Sequence, residues 1–300
     1  MKNQTTKEEK ELKKSVNPCK TGKVKKVLSV MVVILVIATL LNGCKPTGSK
    51  DSIETLTLTG STTVLPIAQN AAEAFMDIHP NARISVRGNG SGVGISALID
   101  GTTDIANASR PIKTNEMEQA HEKKVNPVET VIAIDGIAII VHSSNSIKGI
   151  SLEQLKAIYT GEISDWQELG GKSGPIVVVS RDVSSGTFEI FKKLVLGGEK
   201  TREDALMLAS NSAVTTAVAN TPGAIGYIGL GYLTKDVTAL EVNGVCPSKE
   251  TITAGEYKLA RSLYMYTNGA PEGIEKEFID FILSPQGQKI VEEQGFVSIK

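Results

Sequence analysis

At 300 residues, with 41% apolar, 22% charged and 4% aromatic residues, the chain is long enough for two lobes with their own cores and carries no compositional mark of a disordered or fibrous protein. The formal charge of −1 conceals an asymmetry: nine Lys and three Glu fall in residues 1–26, and removing them from 32 basic and 33 acidic residues leaves 23 against 30, a net charge of −7. An acidic body of this kind argues against nucleic acid as a partner. Any anion it holds must rest on local dipoles and a few fixed cations, not on a basic surface field.

The basic N-terminal stretch ends in "GKVKK" and runs into "VLSVMVVILVIATLLNG", an apolar run of signal-peptide length. It closes on Leu41-Asn42-Gly43-Cys44, which resembles a bacterial lipobox. Residues 1–43 are therefore expected to be a lipoprotein signal peptide. Cys44 would carry the lipid, and residues 44–53 would tether the folded part to the outer face of the cytoplasmic membrane. An uncleaved N-terminal anchor is the alternative reading, with the same topology. Of the other cysteines, Cys19 would be removed with the leader and Cys246 is read as a structural residue. A single remaining thiol supports neither a disulfide nor a zinc cluster.

Past the tether, "ETLTLTG" (54–60) alternates with period 2 and predicts a strand. The turn "GSTT" leads to "VLPIAQNAAEAFMDIH", a helix with Leu65, Ala68, Ala72, Phe75 and Met76 at helical spacing and Pro80 behind it. "ARISVRG" (82–88) is a second strand, "NGSGVG" a second turn, "ISALIDG" a short helix, and "TDIANAS" (103–109) a third strand ending at Ser109-Arg110-Pro111. "VETVIAIDGIAIIVH" (128–142) is a long β-branched run that suits a buried parallel strand or a crossover between lobes. Then come a helix over 151–161, the strand "PIVVVS" (175–180), and a helix over 187–198 with Gly197 at its C-cap. Residues 211–230 read as helix, Pro-Gly turn and strand, 261–267 as a late strand, and 273–295 as two helices split at Ser284-Pro285. The βα alternation predicts an α/β fold with mostly parallel sheets.

One device recurs. Three times a strand ends in a Ser/Thr/Gly turn that opens a helix: "GSTT" at 60–63, "GNGSGVG" at 88–94 and "SSGT" at 184–187. A helix N-terminus leaves backbone N–H groups unpaired and carries partial positive charge, and glycine lets a ligand approach the backbone. A single such turn is most often only a capped helix. Three of them at strand ends mark the crevice where open α/β sheets hold ligands. Arg181, directly after "VVVS", is the charged complement, since a guanidinium forks onto two oxygens of a tetrahedral anion. A surface pair with Asp182 is its structural alternative. Arg110 is a second candidate cation.

Competing motifs fail. "GGKSG" lacks the first P-loop glycine, where Trp166 stands, and Val93 occupies the third glycine position of a dinucleotide fingerprint. His79, His121 and His142 are scattered without metal spacing, and no nucleophile elbow or general base is visible. No catalytic residue, metal or cofactor is expected.

"GSTTVLPIAQNAAEAF", "GNGSGVGISALIDGTTDIANASR", "IYTGEISDWQELGG", "RDVSSGT" and "GAIGYIGLGY", in that order, resemble the phosphate-binding lipoproteins of bacterial phosphate ABC transporters. The resemblance covers nearly the whole chain after Cys44. It implies the two-lobed periplasmic-binding-protein fold (type II) with a two-strand hinge, placed here at about 132–142 and 257–267. Lobe 1 would comprise 54–134 and 265–300, and lobe 2 135–264. It further implies a monomer that binds inorganic phosphate and delivers it to the permease subunits of an ABC importer. The motif carries Arg181, Ser185, Gly186 and Thr187 onto the anion; the first turn adds Ser61, Thr62 and Thr63, and the second adds Ser91 and Gly92. In well-known members the third strand ends in Ser-Asp, and that aspartate accepts the phosphate proton; here Ser109-Arg110 stand instead. Asp135, in the crossover run, is the candidate acceptor and Asp182 the alternative. The same fold could serve another oxyanion, such as sulfate or molybdate, or a phosphate-sensing role; a phosphatase or an adhesin-like protein reusing the fold is the reading from a different class.

Overall fold

The computed structural model describes residues 53–299. The expected signal peptide, Cys44 and all of the tether except Ile53 lie outside these residues. The chain runs β1 (Glu54–Gly60), α1 (Leu65–Ile78), β2 (Ala82–Gly88), α2 (Ser91–Ile99), β3 (Ile105–Ala108), α3 (Thr114–Glu122) and β4 (Pro127–His142). It continues through β5 (Gly149–Ile150), α4 (Leu152–Thr160), β6 (Val177–Arg181), α5 (Gly186–Leu194), β7 (Leu206–Leu208), α6 (Asn211–Asn220) and β8 (Ala224–Gly229). The last elements are β9 (Val237–Ala239), β10 (Glu241–Val242), α7 (Lys249–Thr253), β11 (Ala260–Asn268), α8 (Gly273–Leu283) and α9 (Pro285–Glu293).

One curled nine-stranded sheet holds these together in the order β2-β1-β3-β11-β4-β8-β6-β7, with β9 on β4 and a separate β5–β10 pair. The outer neighbours β1–β2, β1–β3, β6–β7 and β6–β8 are parallel. The middle is antiparallel: β11 pairs with β4 from Ala260↔Gly136 to Asn268↔Pro127. β4 then continues against β8 and β9. The long β-branched run is thus the crossover between lobes and not a parallel strand. Its sixteen residues are too many for one βα unit, and both its edges are taken by antiparallel partners.

Apolar side chains separate along this central pair. One core gathers Leu56, Leu58, Phe75, Ile132, Leu263, Met265 and Phe278, and a smaller one joins Ile95, Leu98 and Ala108. Beyond Asp135 the cores are built from Ile137, Ile139, Tyr159, Trp166, Phe191 and Tyr227, and from Ala138, Ile140, Val179 and Val214. Helix α1 buries Ile67, Ala68, Ala71, Ala72 and Phe75, a stripe one residue off the predicted one, because Leu65 and Met76 sit at its margins. Phe75 then meets Phe278 and Phe281 edge-on, which fixes α8 against α1.

Two further expectations are corrected. Helix α5 ends at Leu194 with Val195 as its cap, and Gly197 and Gly198 form the left-handed turn that follows. Cys246 is exposed, with its thiol beside a Glu241 carboxylate oxygen, and packs in no core. Helix α3 and the short α7, β7 and β5–β10 elements carry no strong periodicity and were not legible as elements.

Candidate functional site

All three glycine turns meet at the centre of the molecule. In the first, the Ser61 N–H donates to the Asn107 carbonyl (2.7 Å), and Ser61 Oγ accepts the N–H groups of Thr63 (3.1 Å) and Val64 (3.4 Å). Helix α1 has no side-chain cap, because Val64 stands at the cap position. The second turn opens α2 through Gly90 at φ +101, a conformation that glycine allows without a Cβ penalty. There Ser91 Oγ accepts the Ser109 N–H at 3.1 Å. In the third, Ser185 caps α5 by accepting from Thr187 N (3.2 Å) and Phe188 N (3.3 Å). Ser61, Thr62, Thr63, Ser91, Ser109, Arg110, Asp135, Arg181, Ser185 and Thr187 are all buried.

Contacts between the two halves of the chain run directly through these turns. Gly92 N donates to Ser184 O at 2.9 Å, and the Thr63 and Thr187 hydroxyls lie 3.1 Å apart. Gly186 is so close to the second turn that a Cβ there would stand 2.5 Å from Ser91 Oγ and 2.6 Å from Ser109 Oγ. At the rim, Lys113 Nζ pairs with Glu189 across the same gap at 2.8 Å. This pair is partly exposed and contributes little, roughly 0–1 kcal/mol. Charge reversal, Lys113→Glu, should weaken anion binding about threefold at low ionic strength. The difference should fade as salt is raised, which titrations at two salt concentrations will measure.

Three buried arginines surround this junction, and their partners differ. Arg110 forks onto Glu116 (2.6 and 2.8 Å) and donates to the Pro111 carbonyl. Arg261, at the start of β11, forks onto Asp135 Oδ2 through Nε (3.1 Å) and Nη2 (2.9 Å). Arg181 makes no ion pair among the described residues: Nε donates to Leu208 O, and Nη2 to Ala209 O and Thr62 Oγ1. Its Nη1 is buried without a partner. Burial lowers the Arg181 guanidinium to about 10, the expected direction for a cation removed from water, and the weaker pull of Asp182 does not reverse it. The sequence alternative of a surface pair with Asp182 does not form. Asp182 Oδ1 instead accepts the Ser184 N–H and hydroxyl within its own turn.

Asp135 is fully buried and likewise engaged: Oδ2 by Arg261, and Oδ1 by the Leu230 N–H at 2.9 Å. Burial raises its carboxyl above the usual range, against the opposing pull of Arg261. Several hydroxyls already accept two donors, Ser61 and Ser185 among them. Thr62 Oγ1 receives Arg181 Nη2 and Asn211 Nδ2, both at 3.2 Å. Thr63 Oγ1 receives Asn211 Nδ2, lies 3.3 Å from Arg261 Nη2 and shares a hydrogen bond with the Thr187 hydroxyl. Thr187 Oγ1 also receives Arg261 Nη2 at 2.9 Å. The same count leaves donor hydrogens on Ser61, Thr62 and Ser185. The junction therefore offers N–H and O–H donors around one cation without an ion pair among the described residues, which is the chemistry of a site for an anion rich in acceptor oxygens.

Sequence reasoning missed Arg261, Asn211 and Tyr232, whose hydroxyl donates to the Thr62 carbonyl. It also missed Glu116, the partner of Arg110. Arg261 left one trace: it stands two residues before Leu263 and four before Met265, in phase with the buried face of its strand. Among the described residues no His/Cys/Asp/Glu group could hold a metal ion, and no helix is long and apolar enough to cross a membrane.

Comparison with known proteins identifies relatives of the whole folded part. A family model described as PBP superfamily domain matches residues 45–286. The phosphate-binding protein PstS of Bacillus subtilis is 39% identical over 84% of this chain and 83% of its own length. That of Borreliella burgdorferi is 36% identical over 90% of this chain and 99% of its own. A phosphate-bound structure from Clostridium perfringens, assigned as a phosphate ABC transporter substrate-binding protein, superposes with a TM-score of 0.77 at 36% identity, covering 82% of this chain and all of that one. An ABC-type phosphate transport receptor from Vibrio cholerae gives a TM-score of 0.67 at 33% identity, over 81% and 99% of the two chains. With the two-lobed fold, the three converging turns and this degree of identity together, the chain belongs to the PBP superfamily, in the family of the phosphate-binding proteins named PstS.

Proposed function

We infer that this chain is an extracytoplasmic receptor that binds one inorganic phosphate between its lobes and delivers it to the permease of an ABC importer. The observation that carries the reading is Arg181: a buried guanidinium with no carboxylate partner and an unused Nη1, beside the Thr62 hydroxyl, which already accepts two donors. Ser61, Thr62, Thr63, Ser91, Gly92, Ser109, Ser185, Gly186 and Thr187 complete the cradle, with Arg110 and Asp135 contributing through their ion pairs. Asp135 and Glu116 are tied to arginines, and Asp182 accepts from Ser184. These pairings suit a site that holds its ligand, and the role inferred is transport.

The cores change over near Asp135 in β4 and between Ala260 and Leu263 in β11, which supports 54–134 with 265–300 as one lobe and 135–264 as the other, except that Leu263 packs in the first lobe's core. Val297, packed with the second lobe's core, is the exception at the C-terminus. The two antiparallel strands form the hinge, and closing on the anion creates the surface a permease reads. Lipid on Cys44 would keep the receptor, as a monomer, at the outer face of the cytoplasmic membrane.

A second oxyanion is a serious competitor for one specific reason: both oxygens of Asp135, the candidate acceptor for the proton of hydrogen phosphate, are already engaged. A thermal-shift panel of phosphate, sulfate and molybdate decides this. Phosphate at a hundred times its Kd should add about 2.7 kcal/mol to stability and raise the melting temperature. A larger shift with sulfate, or no shift with any oxyanion, would overturn the phosphate assignment.

A further inference from the structure

We propose that Arg261 is a second anion-binding guanidinium of the site, one that touches the ligand directly and ties it to both lobes at the hinge. This rests on the reading of the junction as a phosphate site. Three observations carry it. First, Arg261 and Asp135 are register partners on the two hinge strands, so the guanidinium is fixed at the axis about which the lobes move. Second, its Nη2 reaches beyond Asp135 to a hydroxyl on each side: Thr63 Oγ1 at 3.3 Å from the first turn and Thr187 Oγ1 at 2.9 Å from the start of α5. Third, its Nη1 is buried and has no partner, as is the Nη1 of Arg181. Both guanidinium groups also reach the first turn, Arg181 through Thr62 and Arg261 through Thr63.

Arg110 does not share this geometry. Both its terminal nitrogens have partners in Glu116 or the Pro111 carbonyl, and the nitrogen buried without any partner is Nε, not a terminal one. Asp135 leaves Arg261 electrically neutral as a pair, so Arg261 supplies directed N–H donors while Arg181 supplies net charge. A buried guanidinium with one arm unused is under-satisfied, and an oxyanion oxygen is the acceptor that fits it.

The alternative is that Arg261 exists only to neutralise Asp135. Removing it alone would strand a buried carboxylate and could unfold the protein, so the test uses a charge-balanced pair. The full-length protein carrying both Arg261→Gln and Asp135→Asn keeps a neutral, hydrogen-bonding side chain at each position. The expected result of phosphate calorimetry is a cooperatively folded variant with affinity at least tenfold below the unmodified chain. Unchanged affinity would overturn the proposal and leave Arg261 a counter-ion. Should the double variant not fold, Arg261→Lys preserves the charge beside Asp135 but lacks the forked second arm. It is expected to lose tenfold as well, and wild-type affinity there would again overturn the proposal. Failure of the unmodified chain to bind phosphate would remove the functional reading and this one together, whereas unaltered variants remove this one alone.

Discussion

Replacing Arg181 with alanine should lower phosphate affinity about a hundredfold, a loss of ~3 kcal/mol of the kind expected when one partner of a buried, charge-assisted contact is removed. The size of the effect follows from the charge pattern of the junction. Arg110 is matched by Glu116 and Arg261 by Asp135, so Arg181 is the buried arginine of the junction with no ion pair among the described residues, Asp182 acting on it only from a distance. Without an anion that charge is a cost, visible in the fall of its guanidinium to about 10. Loss of the cation should therefore leave the ligand-free protein no less stable, even as it disables binding. Calorimetry and melting curves on the same sample separate the two; a variant that melts normally and still binds phosphate at wild-type strength would mean that the anion sits elsewhere.

The second large effect comes from a residue without a side chain. Gly186→Val should reduce affinity thirtyfold or more, about 2 kcal/mol, by holding the second and third turns apart. A Cβ at this position meets the hydroxyl oxygens of Ser91 and Ser109, which are themselves buried and joined to one another. Gly186 does not occupy the left-handed region, so the substituted backbone can keep its conformation and α5 its Ser185 cap. The damage should fall on approach of the lobes and not on folding. Melting in the absence of phosphate should move by only a few degrees. A small-angle scattering comparison should show that phosphate no longer compacts the variant. Wild-type affinity in Gly186→Val would exclude the close approach as a requirement for binding.

The buried Asp135–Arg261 pair carries an expectation for stability. Burial pushes the carboxyl up and the guanidinium down, so for each group the folded state disfavours the charged form. For Asp135 a folded pKa above the unfolded one means that this group favours folding most at acid pH and that the favour is lost as pH rises through the folded value. At neutral pH the pair is therefore a net expense of desolvation set against one good ion pair. Its neutral double replacement should melt within a few degrees of the parent, or above it. A large fall in melting temperature would show that the pair stabilises the fold outright.

How much of this could be read from the residues depended on the range of the interaction. The three turns were legible because each is local: a strand's alternation stops, Ser, Thr and Gly follow, and an apolar period of 3.6 begins. Arg181 was legible because it abuts one of them. Asp135 stood out as a charge in a β-branched run, but its partner lies 126 residues away and joins it only through antiparallel pairing of the hinge strands. Arg110 illustrates the opposite case, since Glu116 is six residues downstream and claims the guanidinium through the fold of the α3 entry. The parallel outer strands followed from βα alternation. The antiparallel centre did not, because a buried strand reads the same in either direction.

The most direct test of the account is a crystal structure of the protein grown with phosphate. It should show one tetrahedral anion at the meeting point of the three turns, with an oxygen within hydrogen-bonding distance of Arg181 Nη1 and others on the Ser185 and Thr187 donors. Phosphate bound away from Arg181, or a junction that remains as it is while phosphate binds on the surface, would contradict it.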